Sequence, residues 1–340
     1  MSQNALQLND TTYAGEAASW MLLRPVATAD TVEKGCIHIA ETKKQYHYPR
    51  LEISNWIQRD SPTPVSSGAI TVDGNIITLE TFQIYLEFDP QQFSQHWYAD
   101  QLQDQILDRS LPVTVETYLM KHLFEKNNQK VDGMLWRSRK EYDPTNPNYY
   151  TPTSKGADAN DSDMYYFDGL ITQALNDANT IKIAGAGALQ ATTATASTYI
   201  LNVFQTVYSN VPIGCLNKYG PYGLKFLVSY RTMQLMEQAY NITTTFKNGD
   251  YASAGQKAYL GYQVVPISGF PDNTVIACLA SPDQNRSNTF LAVNSTDDQS
   301  QVKLAPTLAF SDIWGLRAKM KMNVGWGFTD QTVIWTTITA

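Results

Sequence analysis

From Leu316 onward the chain alternates: Leu316, Ala318, Met320, Met322, Val324, Trp326 and Phe328 fall on one side, and Arg317, Lys319, Lys321 and Asn323 on the other. Successive side chains of a β-strand point to opposite faces, so this period of two predicts a long strand with one apolar and one basic face. It is the clearest period in the sequence. Asp330-Gln331 then turns the chain, and Val333 to Ile338 is expected to return as the antiparallel partner of the long strand.

The longest well-bounded helix is expected upstream, over Pro112 to Gly133. Proline in a first turn loses no helical hydrogen bond, Val115, Leu119, Leu123 and Phe124 recur at helical spacing, and Gly133 reads as the stop. A second helix should precede it, started by Asp89-Pro90 and carrying Phe93 and Trp97.

Between the amino terminus and these helices the pattern is β. Residues 1 to about 33 are polar and small apart from Trp20 to Leu23, and read as an extended arm. Cys36 to Ile39 makes a short strand with Lys43 and Lys44 at its solvated exit. Leu51 and Ile53 alternate with polar neighbours, Asp60 to Pro64 interrupts, and Ile70 and Val72 resume before an expected turn at Asp73-Gly74, which together describe an extended hairpin. Thr81 to Phe88 is a half-buried strand with Phe82, Ile84, Leu86 and Phe88 on one face.

Beyond Gly133 a Pro-, Asn-, Asp- and Ser-rich stretch marks a boundary, and a second lobe begins near Met164. Its helices are expected at Leu170 to Ala178 and, capped by Ser197, through Ile200, Val203, Phe204 and Val207. A further helix carries Met233, Met236 and Tyr240, and strands are expected at Leu224 to Val228, Tyr262 to Val265 and Val275 to Leu279. The lobe is mixed α and β.

With 340 residues, 43% hydrophobic and only 17% charged, the chain has material for two lobes and a surface suited to contact with other protein. A net charge of −7 argues against a dedicated nucleic-acid binder. Cys36, Cys215 and Cys278 are odd in number and widely spaced, which signals neither disulfides nor zinc and suits a reducing compartment. The first residues lack the basic start and apolar run of a signal peptide, and no stretch is long enough to span a bilayer, so a soluble protein made in a cytoplasm is expected.

Each chemical motif fails on spacing. Asp158 to Asp163 has Asp163 where a calcium loop requires Gly and Gly169 where it requires Glu. The strand Ile181 to Ile183 followed by Gly185 and Gly187 imitates a dinucleotide fingerprint, but Gln190 replaces the third glycine, so a flexible turn is the better reading. His38, His47, His96 and His122 show no HExxH pair, and no GxSxG elbow appears. No catalytic residue, cofactor or metal is assigned, and an enzyme is not expected.

The order of these elements resembles the major capsid proteins of tailed bacteriophages, the Johnson fold named also for phage Hong Kong ninety-seven. The resemblance rests on the arm with Gly35-Cys36-Ile37-His38-Ile39, the β region from Arg50 to Phe88, the helix ending at Gly133, Tyr165 to Leu175, and Leu316 to Trp335. It implies an α+β chain with an amino-terminal arm (1–44), an extension-loop hairpin (45–88), a peripheral domain (89–150 and 300–340) with spine helix 112–133, and an axial domain (151–299).

The function it implies is self-assembly into an icosahedral head shell enclosing double-stranded DNA, located in the virion and assembled in the bacterial cytoplasm. The partners it implies are further copies of the chain in hexamers and pentamers, a separate scaffolding protein, a portal and a cementing protein. Trp20, Arg24, Trp56, Ile57, Arg59, Asp60, Arg317, Lys319 and Lys321 are the candidate contact residues, the basic row being expected in subunit contacts or solvent rather than on DNA. Members that cross-link covalently do so through an extension-loop lysine, yet Arg50 to Gln101 contains none. Two alternatives remain: an encapsulin-like shell around an enzyme cargo, and a cytoplasmic two-domain hydrolase.

Overall fold

The computed structural model describes residues 11–14, 29–54, 57, 59–60, 62–63, 65, 69–88, 130–138, 167–190, 193–213, 215–216, 223–242, 258–294, 301–306 and 314–337. Residues 112–129 of the expected helix Pro112 to Gly133, the helix expected from Asp89-Pro90, the motif at 158–163, and Trp20, Arg24 and Trp56 lie outside them.

Two six-stranded sheets and a separate two-stranded hairpin organise the described residues. The first sheet runs β1 (Thr11–Ala14), β12 (Gln301–Pro306), β13 (Trp314–Trp326), β11 (Thr289–Val293) and β2 (His38–Glu41), with β5 (Glu80–Phe88) also paired to β13. The long alternating strand is therefore its axis, hydrogen-bonded in turn to β5, β12 and β11, all antiparallel. Its alternation follows burial: Met322, Val324 and Trp326 are buried while Lys321 and Asn323 are half-buried.

The second sheet runs β6 (Ile181–Ala184), β14 (Val333–Thr336), β10 (Thr274–Leu279), β7 (Leu224–Ser229), β9 (Tyr262–Ile267) and β8 (Ala258–Tyr259). It is covered on both faces, which explains why its central strands are near-continuous apolar runs. Phe226, Val228, Val264, Val275 and Ala277 pack under α4 (Ala194–Ser209) and α5 (Tyr230–Ile242). Leu227, Val265, Ile276 and Cys278 point to the opposite face, into a core shared with Met322, Val324 and Trp326 of the first sheet. That shared core is completed by α1 (Asp30–Glu33), the helical segment 130–137 (α2) and α3 (Leu170–Asn176). The Trp326 indole donates to the Leu170 carbonyl at 2.7 Å and Gln173 donates to the Val324 carbonyl at 2.9 Å, fixing α3 on the end of β13.

Several expectations are corrected. The expected return of Val333 to Ile338 beside the long strand is not what its described part does; β14 crosses into the second sheet, antiparallel to β10 and parallel to β6, where Val333, Ile334 and Trp335 are buried. Conversely β11, from the second lobe's stretch of sequence, joins β13 in the first sheet. Gly133 is not a stop but lies inside the helical segment 130–137, because Met134, Leu135 and Trp136 are core residues whose packing holds that turn helical. Gly269 presses against this same turn: a Cβ there would lie 2.3 Å from the Gly133 nitrogen.

Asp73-Gly74 is not a turn but lies within β4 (Ala69–Thr78), with Gly74 opposite Pro49, and a Cβ on Gly74 would meet the Tyr48 carbonyl oxygen at 2.5 Å. Thr193 rather than Ser197 caps α4, its hydroxyl accepting from the Ala196 N–H at 3.2 Å, while Ser197 is buried inside the helix. Helix α3 ends at Asn176, short of Ala178.

Candidate assembly interface

The hairpin of β3 (Gln45–Ser54) and β4 pairs residue for residue from Gln45 opposite Thr78 to Ser54 opposite Ala69, and neither strand joins another sheet. The hairpin expected over 45–88 is formed by 45–78 alone, and β5 leaves it to join β13.

Its root is fixed. Ile77 is 5% exposed and sits against the bare backbone of Gly325, where a Cβ would come within 2.7 Å of the isoleucine. Tyr48 packs on Phe290 and Phe328 with ring centroids 4.4 and 5.1 Å apart, and Tyr46 flanks Phe290 at 5.8 Å. Asn75 donates to the Trp326 carbonyl at 2.9 Å, Asn323 to the Thr78 carbonyl at 2.6 Å, and Gln284 to the Tyr46 hydroxyl at 2.8 Å.

Away from the root the hairpin presents apolar residues to solvent. On β4, Ile70 and Val72 are each 68% exposed and Ile76 is 57% exposed. They alternate along the strand, so they share a face opposite to the one through which Ile77 meets the body. The register pairs Ile70 with Ile53 and Val72 with Leu51, so the apolar sequence of one strand stands beside that of the other. Beyond the strands Ile57 is 78% exposed and Val65 75%, and Arg59 and Asp60 are exposed too. Ile57, Arg59 and Asp60 therefore belong to one projecting end. Ile70 and Val72 were legible as strand residues, while Ile76 lay beyond the expected turn and was not; that the three share an uncovered face becomes visible only when the register shows which side the body covers.

The basic row is separate from this hairpin. Arg317, Lys319 and Lys321 occupy β13 positions opposite Tyr85, Gln83 and Thr81 of β5, and Arg317 also stands opposite Lys303 of β12. The Lys321 carbonyl accepts from the Asn294 N–H at 3.1 Å.

A polar junction that the sequence did not signal anchors residues 30–35. The buried Asp132 carboxylate accepts from the backbone N–H groups of Asp30 and Thr31 at 2.8 and 3.1 Å, from the Thr31 hydroxyl at 2.7 Å and from the Ser268 hydroxyl at 3.2 Å. The Trp136 indole donates to the Thr31 hydroxyl at 2.9 Å. Beside it, the Lys34 ammonium donates to Asp30 at 2.9 Å and to the Tyr230 hydroxyl and Pro266 carbonyl at 2.6 Å each, and Lys225 reaches the Gly35 carbonyl at 3.0 Å. Lys225 of β7 and the accepting Pro266 carbonyl of β9 belong to the second sheet, so the junction ties residues 30–35 to α2 and to that sheet together.

Burial raises the Asp132 pKa, against the donors from Thr31 and Asp30 that favour its charged form. Burial opposes the charge on Lys34, but its bonds to Tyr230 and Asp30 outweigh that and its pKa is raised. Burial pushes the Cys36 thiol up to about 11 and raises Cys278 as well. The three cysteines are buried and form no disulfide, and the protonated thiols of Cys36 and Cys278 are poor nucleophiles and metal ligands. Among the described residues no cluster of His, Cys, Asp and Glu could hold a metal, and no helix is long and apolar enough to cross a membrane.

No family model matches the sequence, and no curated protein does. Solved structures do match over nearly the whole chain. A chain of the satellite phage P4 procapsid with size determination protein aligns over 94% of this chain and 99% of its own, with a TM-score of 0.56 at 8% identity. A chain of the native GTA particle capsid aligns over 92% of this chain and 90% of its own, with a TM-score of 0.52 at 13% identity. The likeness is one of fold: this α+β chain has the phage capsid fold that its order of elements resembles.

Proposed function

We propose that this chain is the repeated subunit of an icosahedral head shell of a tailed double-stranded DNA phage or a related particle, a structural protein without catalytic activity. The observation that carries the reading is the hairpin, locked at its root by Ile77, Tyr48 and Asn75 yet holding Ile70, Val72 and Ile76 in solvent. A two-stranded ribbon gains nothing from exposing a row of large apolar side chains, and a monomer has no use for it; a neighbouring copy covering that face does.

In this reading 1–44 is the arm and 45–78 the lapping hairpin. The first sheet, with 89–150, forms the peripheral domain around a spine helix that begins near 112 and runs through 137, and the second sheet forms most of the axial domain. In this reading β11 belongs with the former and β14 with the latter, a division supported by their sheet membership. Trp20, Arg24, Trp56, Ile57, Arg59 and Asp60 belong to contacts between copies; Arg317, Lys319 and Lys321 meet a neighbouring copy or solvent. A separate scaffolding protein, a portal and a cementing protein are the further partners, and DNA is enclosed without sequence-specific contact.

Electron micrographs of the purified protein, with nucleic acid extracted from the particles, test this. Closed shells holding DNA in the infected host are expected. Shells holding an enzyme would mark a nanocompartment instead, and a monomer without shells under any assembly condition would remove the proposal.

A further inference from the structure

Helix α1 is one turn long, and its two ends are closed in different ways. At its carboxyl end the chain closes itself: Gly35, at φ +61°, lets the Cys36 and Gly35 N–H groups donate back to the Thr31 and Val32 carbonyls, each at 2.9 Å. At its amino end the preceding residue is Ala29, which has no side chain to cap with, and the N–H groups of Asp30 and Thr31 are taken by the Asp132 carboxylate instead. Every backbone N–H from Val32 to Cys36 donates to a carbonyl between Ala29 and Val32. Side chains tie this closed set to the body: Thr289 donates to the Cys36 carbonyl at 2.6 Å, Lys225 to the Gly35 carbonyl, Lys34 to the Pro266 carbonyl and the Trp136 indole to the Thr31 hydroxyl. Ala29, Thr31 and Cys36 are fully buried, Ala29 and Cys36 against the core that the two sheets share.

We propose that residues 29–36 are a strap over that shared core which opens and closes as one unit, with Asp132 as its catch. A single helical turn is not stable by itself, because fixing its dihedrals costs more than its few bonds contribute, so α1 depends on the acceptor that α2 supplies. A segment whose backbone bonds close within itself leaves without breaking a ladder in either sheet, which is what a local opening unit requires. The ion pair on its outer side, Asp30 with Lys34, has side chains 22% and 28% exposed, so water replaces it as the strap lifts. Closed, the strap joins α2 to both sheets through Asp132, Lys225 and Thr289. Open, it releases the chain ahead of β2 from the second sheet while the ladder of β2 with β11 stays paired.

Native-state amide hydrogen exchange of the unassembled subunit, followed through low concentrations of denaturant, tests this. Amides 32–36 should exchange faster than those of β10 and with a shallow denaturant dependence, whereas β10 exchanges only through the steep, global transition. Val228→Ala weakens the sheet on the face under α4 and α5, away from the strap. It should speed β10 exchange at least about tenfold and leave strap exchange unchanged, because the sheet is intact in both strap states. Asp132→Asn keeps the shape of the catch but removes its charge and one acceptor, and should speed strap exchange at least about tenfold. One shared exchange rate and denaturant slope for strap and β10 in the parent, a Val228→Ala variant that speeds both alike, or an Asp132→Asn variant with unchanged strap exchange overturns the proposal.

Discussion

The second sheet and the β3–β4 hairpin are built from similar residues and meet opposite fates. Every residue of β10 is buried, with Val275 and Ala277 under α4 and α5 and Ile276 and Cys278 in the core shared with the first sheet. In β4, Ile70 and Val72 stand in solvent. One region is closed by its own chain; the other is closed only at its root. The contrast separates what the chain closes by itself from what it leaves open: the sheets hold the chain together, and the hairpin holds an apolar face in solvent, which the proposed function gives to a neighbour.

The largest expected effect is in the closed region. Phe226 is fully buried among Phe204 and Tyr259, with ring centroids 5.9 Å from each. Phe226→Ala should lower the stability of the unassembled subunit by about 3 to 5 kcal/mol, a large fraction of what a domain has. Chemical denaturation measures it, and a loss below about 1 kcal/mol would show that this core is looser than described.

Alkali should act next, again on the closed region. The folded pKa of Cys36 is about 11 against 9.0 for a free thiol, so the folded state resists its ionisation. Its contribution is complete below the ordinary thiol pKa and lost as pH rises through the folded value, a change on the order of 2 to 3 kcal/mol. Lys34, also raised, has the same sign: the charged ammonium is favoured in the fold, and that contribution disappears above its folded pKa. Melting of the subunit should therefore fall steeply from about pH 9 upward, and Cys36→Ala should flatten part of the fall. A profile of Cys36→Ala identical to the parent's would assign the alkaline loss elsewhere.

The smallest effect on stability should come from the hairpin. Val72→Asp places a charge where solvent already reaches, so denaturation of the unassembled subunit should shift by no more than about 0.5 kcal/mol. Particle yield by sedimentation should nevertheless fall sharply, because a neighbour would have to bury that carboxylate. A substantial loss of subunit stability would instead mean that this face belongs to the subunit's own core.

The sequence carried this contrast unevenly. The buried runs at 224–228 and 275–279 and the alternation from Leu316 were legible because burial on two faces or on one writes itself into a local period. Three features were not. The path of Val333 to Thr336 into the second sheet depends on which distant strands have an open edge, and a short loop after a long strand reads equally well as a hairpin. Gly133 and Gly74 read as a stop and a turn, yet the Gly133 turn accommodates Gly269 and Gly74 accommodates the Tyr48 carbonyl; close approach and chain reversal leave the same residue in sequence. The Asp132 junction joins residues about a hundred positions apart, and nothing local distinguishes that aspartate from a solvated one. Of the candidate contact residues, Ile57, Arg59 and Asp60 were suggested by the interruption in the β pattern, whereas the face carrying Ile70, Val72 and Ile76 required knowing which side of β4 the body covers.

The central claim is that the hairpin serves assembly and not the fold. Excising residues 50–73 and joining Pro49 to Gly74 through an Asn-Gly turn keeps the root with Tyr46, Tyr48, Asn75 and Ile77 and removes the projecting part. Sedimentation of this variant beside its parent, with a thermal melt of each, is the most direct measurement. A folded subunit with the parent's melting temperature that forms no shells is predicted; normal shells, or a subunit that no longer folds, would contradict it.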